Sequence, residues 1–240
     1  MSFTERTACL LGEAAIAKLA ASHVLVVGIG GVGSFAAEAL CRAGVGELTL
    51  VDSDVVTESN LNRQLFALRS TVGRPKTEAA AERLRDIAPE MRLHLFQTVY
   101  GPETRGEIFA RRPDYVLDCI DSVSAKADLI RTARELGIPL LSAMGTGNKT
   151  DPTRLRVTTL DKTAGCPLAR VMRNRLRGTG CEKTPVVTSD EPPAKVSAPE
   201  GESRVPASCA WVPSSAGLLM AGTCVMDLIR EDKTEGSMHP

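Results

Sequence analysis

The chain has few aromatic residues and no excess of charge of either sign. Aromatic side chains make up 3% of its 240 residues, and Trp211 is the single tryptophan. Lysine plus arginine and aspartate plus glutamate number 29 each, so no overall field draws the chain to nucleic acid or to a membrane. RNA binding would therefore depend on a local cluster of cations, because there is little aromatic surface for stacking on bases.

The cysteines have neither the spacing of a zinc site nor that of a disulfide framework. Seven are present, an odd number, and no two of them form a C-x-x-C pair. Paired C-x-x-C motifs supply the thiolates of structural zinc sites, so we expect no structural zinc. Scattered cysteines within apolar runs are typical of reduced thiols, which predicts a cytoplasmic protein.

Long apolar segments are also lacking. No stretch reaches the ~18 uninterrupted apolar residues that a membrane-spanning helix requires. The nearest candidate, residues 214–229, contains Asp227 and is interpreted as a buried helix. At the N-terminus, Glu5 and Arg6 precede a short apolar run, which is not the layout of a signal peptide. We therefore expect no membrane partner.

The first 150 residues alternate between strand and helix patterns. Apolar or alternating segments predict five strands, at 23–30, 46–52, 91–97, 114–121 and 138–145. Helical patterns lie between them, at 32–44, 74–89 and 124–137. Strands separated by helices imply a parallel sheet with right-handed crossovers. We expect an α/β fold in which residues 1–150 form a Rossmann-like nucleotide-binding domain with a mostly parallel sheet.

The pattern changes after residue 150. Four segments are interpreted here: a strand at 153–162, a basic helix at 166–178, a loop at 179–208, and a strand followed by a buried helix within 209–231. The loop is rich in Pro, Ser and Glu, which predicts mobility. We interpret residues 151–240 as a C-terminal extension of the same domain, carrying the flexible loop 179–208.

A glycine-rich turn follows the first predicted strand. Gly28, Gly30 and Gly33 have the G-x-G-x-x-G spacing, Gly31 lies between them, and Asp52 closes the second strand. Glycines let the backbone approach a phosphate, the next helix supplies amide donors, and a carboxylate placed like Asp52 accepts from ribose hydroxyls. The turn predicts an adenine nucleotide. By itself it also fits nicotinamide or flavin cofactors, so a dehydrogenase is one hypothesis.

The residues after the second strand favour a polyphosphate. The predicted ATP-binding residues of this region are Asp54, Asn60, Arg63, Gln64, Lys76 and Asp121, with Asn62 beside them. Arg63 and Lys76 can bind phosphate oxygens, and Asp121 lies at the carboxyl edge of the predicted sheet, where ligands bind. A carboxylate that faces a polyphosphate needs a divalent cation between them, which predicts ATP with Mg²⁺ held by Asp121.

Taken singly, these residues have structural alternatives. Asn60 and Asn62 can cap a turn, Arg63 can pair with Asp54, and Lys76 can be a solvated helix lysine. The prediction of an ATP site depends on their occurring together behind the glycine-rich turn.

Four motifs resemble the ATP-binding core of the ubiquitin-activating enzyme superfamily. They are GIGGVGS, VDSDVVTESNLNRQ, VGRPKTEAAAERL and LDCIDSVSAKADLI, and the resemblance spans residues 6 to about 147. Members activate a carboxylate by its attack on the α-phosphorus of ATP, which releases pyrophosphate and leaves an acyl adenylate. The roles implied by the resemblance are ribose binding by Asp52, phosphate binding by Asn60, Arg63 and Lys76, and Mg²⁺ binding by Asp121.

The resemblance also implies the catalytic residues. Nucleotidyl transfer depends on positioned charge, so Arg63, Lys76 and Asp121 are expected to act in catalysis as well as in binding. Arg6, in RTACLLGEAAIAKL, matches an arginine that related homodimers extend into the nucleotide site of the neighbouring subunit. It implies a homodimer in which Arg6 is catalytic.

The C-terminal part resembles the tRNA threonylcarbamoyladenosine dehydratases. The segments that carry this resemblance are GTGNKTDPTRLRVTTLDKT, KTAGCPLARVMRNRLRGTG, TPVVTSDEPP and WVPSSAGLLMAGTCVMDLI. It implies a tRNA substrate that bears N6-threonylcarbamoyladenosine at position 37, whose threonyl carboxylate is adenylated and then displaced from within the same side chain to close a ring. A sulfur-relay protein partner is left open.

A basic helix is the predicted tRNA-binding surface. Arg170, Arg173 and Arg177 share a face of the helix predicted at 166–178 and can track a phosphate backbone. The alternative is a solvated helix face.

Two further enzymatic hypotheses concern the acyl acceptor. Activation of a small sulfur-carrier protein is one alternative, although the carrier-activating relatives usually hold zinc in C-x-x-C pairs, which are missing here. Transfer to a thiol of Cys166 or Cys181 is the other, and we expect neither cysteine to be catalytic because ring closure within one side chain needs no thioester. A non-catalytic nucleotide-binding scaffold is a further hypothesis. It would be expected to have lost the charged residues of the predicted ATP site, and these residues are all present.

Overall fold

A computed structural model describes residues 2–196 and 206–230. Seven strands form one sheet: β1 His23–Val27, β2 Glu47–Val51, β3 Arg92–Phe96, β4 Tyr115–Asp118, β5 Leu140–Ala143, β6 Leu155–Thr159 and β7 Pro185–Ser189. Their order is β3-β2-β1-β4-β5-β7-β6. Every pairing is parallel except that of β6 with β7. The predicted α/β fold with a mostly parallel sheet is confirmed.

Eight α-helices connect and cover the strands. In the described part of the chain they are α1 Glu5–Leu11, α2 Glu13–Ala21, α3 Gly33–Ala43, α4 Lys76–Ile87, α5 Arg105–Ile108, α6 Val123–Glu135, α7 Pro167–Arg175 and α8 Trp211–Ile229. Local sequence explains the end of α3 and the start of α7. Gly44 ends α3 in the left-handed conformation, with φ +93°, and Pro167 opens α7 at the first helical position.

Apolar layers cover both faces of the sheet. Residues of β1 alternate between them: Val24 and Val26 pack with α3, α4 and α8, whereas Leu25 and Val27 pack with α5, α6 and α7. All five residues of β1 are buried, which explains its continuous apolar sequence.

The order of the strands creates a crevice at one edge. The chain leaves β1 to build β2 and β3 on one side and then returns to build β4 and β5 on the other. At such a switch point the loops after the two central strands diverge, and ligands of open α/β sheets bind in the gap at the carboxyl ends. The turn after β1 and the loop after β4 therefore form the walls of the candidate site.

Two assignments of the C-terminal part were wrong. Residues 185–189, within the segment interpreted as a flexible loop at 179–208, form strand β7, which is inserted between β5 and β6 with Val186 and Val187 buried. Proline and serine around this short strand hid its apolar pair. The predicted strand after residue 209 does not form either, because α8 begins at Trp211. The part of the predicted loop at 197–205 lies outside the described residues.

Helix α8 is long and apolar enough, by length and composition, to cross a membrane, and it is the one such helix among the residues described. It packs closely on α3: a Cβ at Gly217 would lie 2.3 Å from the carbonyl oxygen of Val32. The expected burial is confirmed on this side of α8. The opposite side exposes Trp211, Leu218 and Met226.

Candidate functional site: the crevice between the β1 and β4 loops

The glycine-rich turn is packed so tightly that only glycine fits at two of its positions. A Cβ at Gly33 would lie 1.8 Å from the carbonyl oxygen of Gly28. Gly28 itself has φ +91°, and a Cβ there would lie 2.8 Å from the carbonyl oxygen of Cys119, in the loop after β4. The turn and the β4 loop are thus in direct backbone contact, and the amides at the start of α3 face the crevice.

Asp52 fixes the end of β2 to this turn. Its Oδ2 accepts a hydrogen bond from the amide of Ile29 at 2.6 Å, and its Oδ1 accepts one from the amide of Asp54 at 2.9 Å. Each carboxylate oxygen has a second lone pair, so both can still accept from hydroxyl groups of a ligand. Asp52 therefore lies where a ribose carboxylate is expected, at the end of the second strand beside the turn.

Lys76 is a buried cation, held by two carboxylates. Its Nζ lies 2.6 Å from Oδ2 of Asp54 and 3.7 Å from Oδ1 of Asp52. The residue is 6% exposed, so the alternative of a solvated helix lysine is wrong. Because Lys76 opens α4 and Asp52 closes β2, the pair brings a cation to the same edge as the glycine-rich turn.

Arg63 lies directly over the turn. Its Cγ is 3.4 Å from the position that a Cβ of Gly31 would take. Its Nη1 donates to the carbonyl oxygen of Ser59 and to Oδ1 of Asn62, both at 2.8 Å. Arg63 forms no ion pair with Asp54, which pairs with Lys76, so that alternative is wrong. The remaining guanidinium N–H groups make no hydrogen bond to a described residue and can bind a ligand.

Asn60 and Gln64 are both buried in the segment between β2 and α4. Oδ1 of Asn60 accepts from the amide of Thr57 at 3.2 Å, so this asparagine does cap a turn, as its structural alternative proposed. Its Nδ2 makes no hydrogen bond to any described residue and is free to donate. Nε2 of Gln64 lies 3.9 Å from where a Cβ of Gly30 would be. The Gln64 amide thus borders the space where phosphates would lie, and the proximity of Asn60 to that space stays a prediction.

Asp121 is exposed in the loop after β4, at the opposite wall of the crevice. Its carboxylate forms no hydrogen bond or ion pair with other residues that the structure describes. No group of three or more His, Cys, Asp or Glu side chains that could hold a metal occurs in residues 2–196 and 206–230. A single exposed carboxylate does fit Mg²⁺ that is shared with substrate phosphates, because Mg²⁺ in such sites needs only one or two carboxylates from the protein.

A fully buried ion pair lies beneath this loop, and the sequence pattern did not reveal it. Oδ2 of Asp118 lies 2.9 Å from Nζ of Lys126 and accepts from Oγ of Ser142 at 2.6 Å. Burial raises the pKa of the Asp118 carboxyl, and the neighbouring Lys126 and Ser142 oppose that rise. Oδ1 of Asp118 accepts from the amide of Ile120 at 3.3 Å, which holds the start of the loop that leads to Asp121. A carboxylate inside an apolar strand was the available signal, since buried charges require partners.

Arg6 lies far from the crevice of its own chain. It is exposed in the first turn of α1, and the neighbouring Thr4 contacts Gly44 at the C-terminal end of α3. The crevice is at the N-terminal end of α3, and a helix of 11 residues is about 16 Å long. The structure therefore does not bring Arg6 together with the other predicted catalytic residues of the same chain.

The arginines of α7 differ from one another more than helical spacing suggests. Nη1 of Arg173 donates to the carbonyl oxygen of Thr163 at 2.8 Å and to its hydroxyl, so this side chain braces the segment before α7. Arg177 lies beyond the end of α7, and its predicted place on the same helical face was wrong. Arg170 is exposed on the helix.

The segment before α8 also reaches the crevice. Pro213, in the first turn of α8, has its Cβ 3.2 Å from the Cβ position of Gly31. Nδ2 of Asn62 donates to the carbonyl oxygen of Ser208 at 3.0 Å. The C-terminal part of the chain thus completes one wall of the site that the N-terminal motifs begin.

The two cysteines weighed as nucleophiles are both buried. Cys166 is 4% exposed and Cys181 is 3% exposed. Neither side chain is presented to a substrate in the crevice.

Comparison with known proteins gives a consistent picture. Residues 4–232 match the ThiF family. The chain is 43% identical to the tRNA threonylcarbamoyladenosine dehydratase of Bacillus subtilis over 239 residues, which cover 94% of each protein. It superposes on the Escherichia coli tRNA N6-threonylcarbamoyladenosine dehydratase solved in complex with ATP, with a TM-score of 0.87 and 38% identity, covering 94% of this chain and 93% of that one.

A similarity to carrier-activating enzymes is shorter. The sulfur carrier protein ThiS adenylyltransferase of Escherichia coli is 37% identical over 130 residues, which cover 54% of this chain and 51% of that protein. The resemblance seen in the sequence motifs is confirmed over nearly the whole length. The chain belongs to the ThiF family.

Proposed function

We propose that the protein is an ATP-dependent dehydratase that cyclises N6-threonylcarbamoyladenosine at position 37 of tRNA. The observation that carries the proposal is the convergence, at one switch point, of the glycine-rich turn, the buried Lys76, the overlying Arg63 and the carboxylates Asp52 and Asp121. Support also comes from the relatives above, which match almost the full chain and carry this activity in their names.

The proposed binding roles use the hydrogen-bonding positions that these side chains have left for a ligand. Asp52 accepts from the ribose hydroxyls of ATP with the lone pairs that the amides of Ile29 and Asp54 leave free. Phosphates lie over the turn, against the first amides of α3 and beneath Arg63. Lys76 turns from Asp54 toward the phosphates, an exchange of one anionic partner for another that leaves the buried ammonium paired.

The reaction proceeds in two displacements. An oxygen of the threonyl carboxylate attacks the α-phosphorus of ATP, the bond to pyrophosphate breaks, and an acyl adenylate forms. A nitrogen or oxygen atom of the carbamoyl group then attacks the acyl carbon, the bond from that carbon to the adenylate oxygen breaks, and AMP leaves. The proton lost by the carbamoyl group passes to solvent. The cations stabilise the charge that develops on the phosphates, and no covalent bond to the protein is needed.

Asp121 is the residue that would hold Mg²⁺, because it is the exposed carboxylate on the wall opposite the turn. When bound, Mg²⁺ supplies charge neutralisation for the departing pyrophosphate. The amide of Ile120, held by the buried Asp118, keeps the Asp121 loop in place.

The active form is proposed to be a homodimer. Arg6 is exposed and follows Thr4, which lies at the C-terminal end of α3, whereas the crevice is at the N-terminal end of that helix, about 16 Å away. We propose that Arg6 acts in the site of a second copy. A C₂ dimer would supply each site with the arginine of its partner, as the resemblance to related homodimers implies.

The tRNA is proposed to lie along α7 and the basic residues near it. Arg170 and Arg177 are exposed there and suit contacts with phosphates, whereas Arg173 serves first to hold Thr163. Binding through phosphate contacts is sensitive to salt. We further propose that the enzyme acts in the cytoplasm, in keeping with its seven free cysteines, and a sulfur-relay protein remains a candidate partner.

Mass spectrometry of tRNA nucleosides tests the proposal. After incubation of the modified tRNA with enzyme, ATP and Mg²⁺, the threonylcarbamoyl nucleoside should lose the mass of one water, and the Asp121→Ala variant should leave it unchanged. An unchanged nucleoside with wild-type enzyme that binds ATP would contradict the proposal. If ATP–pyrophosphate exchange instead required a small sulfur-carrier protein ending in Gly-Gly, the alternative function, adenylation of such a carrier, would replace it.

A further inference from the structure

Trp211 presents a fixed aromatic surface at the rim of the crevice. It is 53% exposed, and its indole Nε1 donates to the carbonyl oxygen of Thr150 at 2.8 Å. Thr150 belongs to the loop that leaves β5 at the carboxyl edge of the sheet. An exposed ring that is already held in one orientation loses little conformational entropy when a ligand stacks on it.

The start of α8 places this ring close to the glycine-rich turn. The Cβ of Pro213 lies 3.2 Å from the Cβ position of Gly31. The Cα atoms of residues i and i+2 of a helix lie about 5 Å apart, so the Cα of Trp211 is within roughly 12 Å of the Cα of Gly31.

Hydrogen bonds from two other loops fix the approach to α8. Asn62 donates to the carbonyl oxygen of Ser208 at 3.0 Å. Oδ1 of Asn148 accepts from the amide of Ala207, and the amide of Asn148 donates to the carbonyl oxygen of Ala207, both at 2.7 Å. Asn148 has a φ of +58°, a left-handed conformation that a residue other than glycine adopts at some cost. The segment that leads into Trp211 is therefore held by the loops that follow β2 and β5.

The proposed reaction brings a nucleobase to the same place. In the modified adenosine, four bonds separate N6 of the adenine from the carboxyl carbon, which is about 5 Å when extended. For the carboxylate to reach the α-phosphate over the turn, the adenine has to lie beside the crevice and out of the base stack. Single-stranded RNA bases that are splayed out in this way are commonly held by aromatic side chains.

We propose that Trp211 stacks on the modified adenine of the tRNA and so positions its carboxylate for adenylation. This inference rests on the proposed function and names the residue that binds the substrate base. The remaining exposed apolar side chains of α8 do not suit this role. Leu218 lies about 10 Å further along the helix and Met226 about 22 Å further, both toward the opposite edge of the sheet.

The test compares Trp211→Ala, Trp211→Phe and Leu218→Ala. The last is the control, because it also removes an exposed apolar side chain of α8. Trp211→Ala should raise the KM for modified tRNA about tenfold or more, Trp211→Phe should restore most of the affinity, and Leu218→Ala should match wild type. The Kd for ATP should not change in any of them. Because Trp211 is the single tryptophan, an anticodon hairpin that carries the modified adenine should quench the protein's fluorescence more than an unmodified hairpin does.

The outcomes separate this inference from the function on which it rests. An unchanged KM for Trp211→Ala, with normal loss of water in wild type, would overturn the stacking and leave the function standing. Absence of the dehydrated nucleoside in wild type would overturn both. If Trp211→Ala and Leu218→Ala raised the KM for tRNA equally and also changed the sedimentation coefficient of the protein, the exposed face of α8 would be a protein interface. That result would overturn stacking on RNA.

Discussion

The crevice and helix α7 both carry cations, but they hold them in different ways. In the crevice, Lys76 is 6% exposed and paired with two carboxylates that come from another element. On α7, Arg170 is exposed, and Arg173 is engaged with Thr163. Burying a cation has an unfavourable desolvation free energy, which its ion-pair partners and its ligand must offset. A solvated arginine has almost no such penalty. The cation of the crevice is therefore fixed in place by the protein, whereas Arg170 on α7 can adjust to a ligand.

Substitution in the glycine-rich turn should have the largest effect, because the crevice is the rigid member of the two regions compared. Gly33→Ala places a methyl group 1.8 Å from the carbonyl oxygen of Gly28, so the turn cannot keep its form. We expect calorimetry to detect no ATP binding. Gly101→Ala is the control, because nothing lies within 4 Å of its Cβ position, and it should bind ATP normally. Normal binding by Gly33→Ala would refute the placement of the phosphates.

Mixing two inactive variants tests whether the crevice is complete in one chain. Arg6→Ala and Asp121→Ala should each be nearly inactive. When equal amounts are allowed to exchange subunits, half of the dimers carry both changes on different chains, and one of their two sites is intact, so about a quarter of the wild-type activity should return. No recovery after verified exchange would mean that Arg6 does not act across a dimer.

The buried ion pair beneath the Asp121 loop should matter for stability. Lys126→Met leaves the Asp118 carboxylate buried without its cation, which should lower the free energy of unfolding by about 3–5 kcal/mol. Urea denaturation measures the loss, with Lys183→Met on the surface as the control. Adding Asp118→Asn should recover part of it, because the unpaired charge is then removed. Equal stabilities of Lys126→Met and the control would contradict the role of the pair.

Charge reversal on α7 should have the smallest effect, because its arginines are less constrained than the cation of the crevice. Arg170→Glu should raise the KM for tRNA severalfold without changing the Kd for ATP, because it removes a phosphate contact. Arg173→Glu should do the same and also cost about 1 kcal/mol of stability, since the hydrogen bond to the Thr163 carbonyl is lost. If neither variant changed the tRNA kinetics at any salt concentration, α7 would not be the tRNA surface.

The nucleotide half of the protein could be predicted from the sequence because its signals are local. The glycine spacing, Asp52 at the end of β2 and Lys76 at the start of α4 are short-range patterns, and the parallel sheet brings their elements to one edge. Even there, the pairing of Lys76 with Asp54 was not foreseen, since the two residues are 22 positions apart.

What could not be predicted depends on contacts between distant segments. The Asp118–Lys126–Ser142 cluster joins β4, α6 and β5, and no spacing rule identifies it. Strand β7 was hidden because its burial comes from pairing with β5 and β6 and not from a long apolar run. The place of Trp211 at the crevice likewise depends on how α8 packs against the glycine-rich turn.

The most direct test of the central claim is the fate of the carboxylate oxygens. Modified tRNA whose threonyl carboxylate carries ¹⁸O would be incubated with enzyme, ATP and Mg²⁺, and the AMP formed would be analysed by mass spectrometry. If the crevice joins that carboxylate to the α-phosphorus, AMP retains one labelled oxygen for each nucleoside cyclised. Unlabelled AMP alongside cyclised product would contradict the account, because the carboxylate would then never have been adenylated.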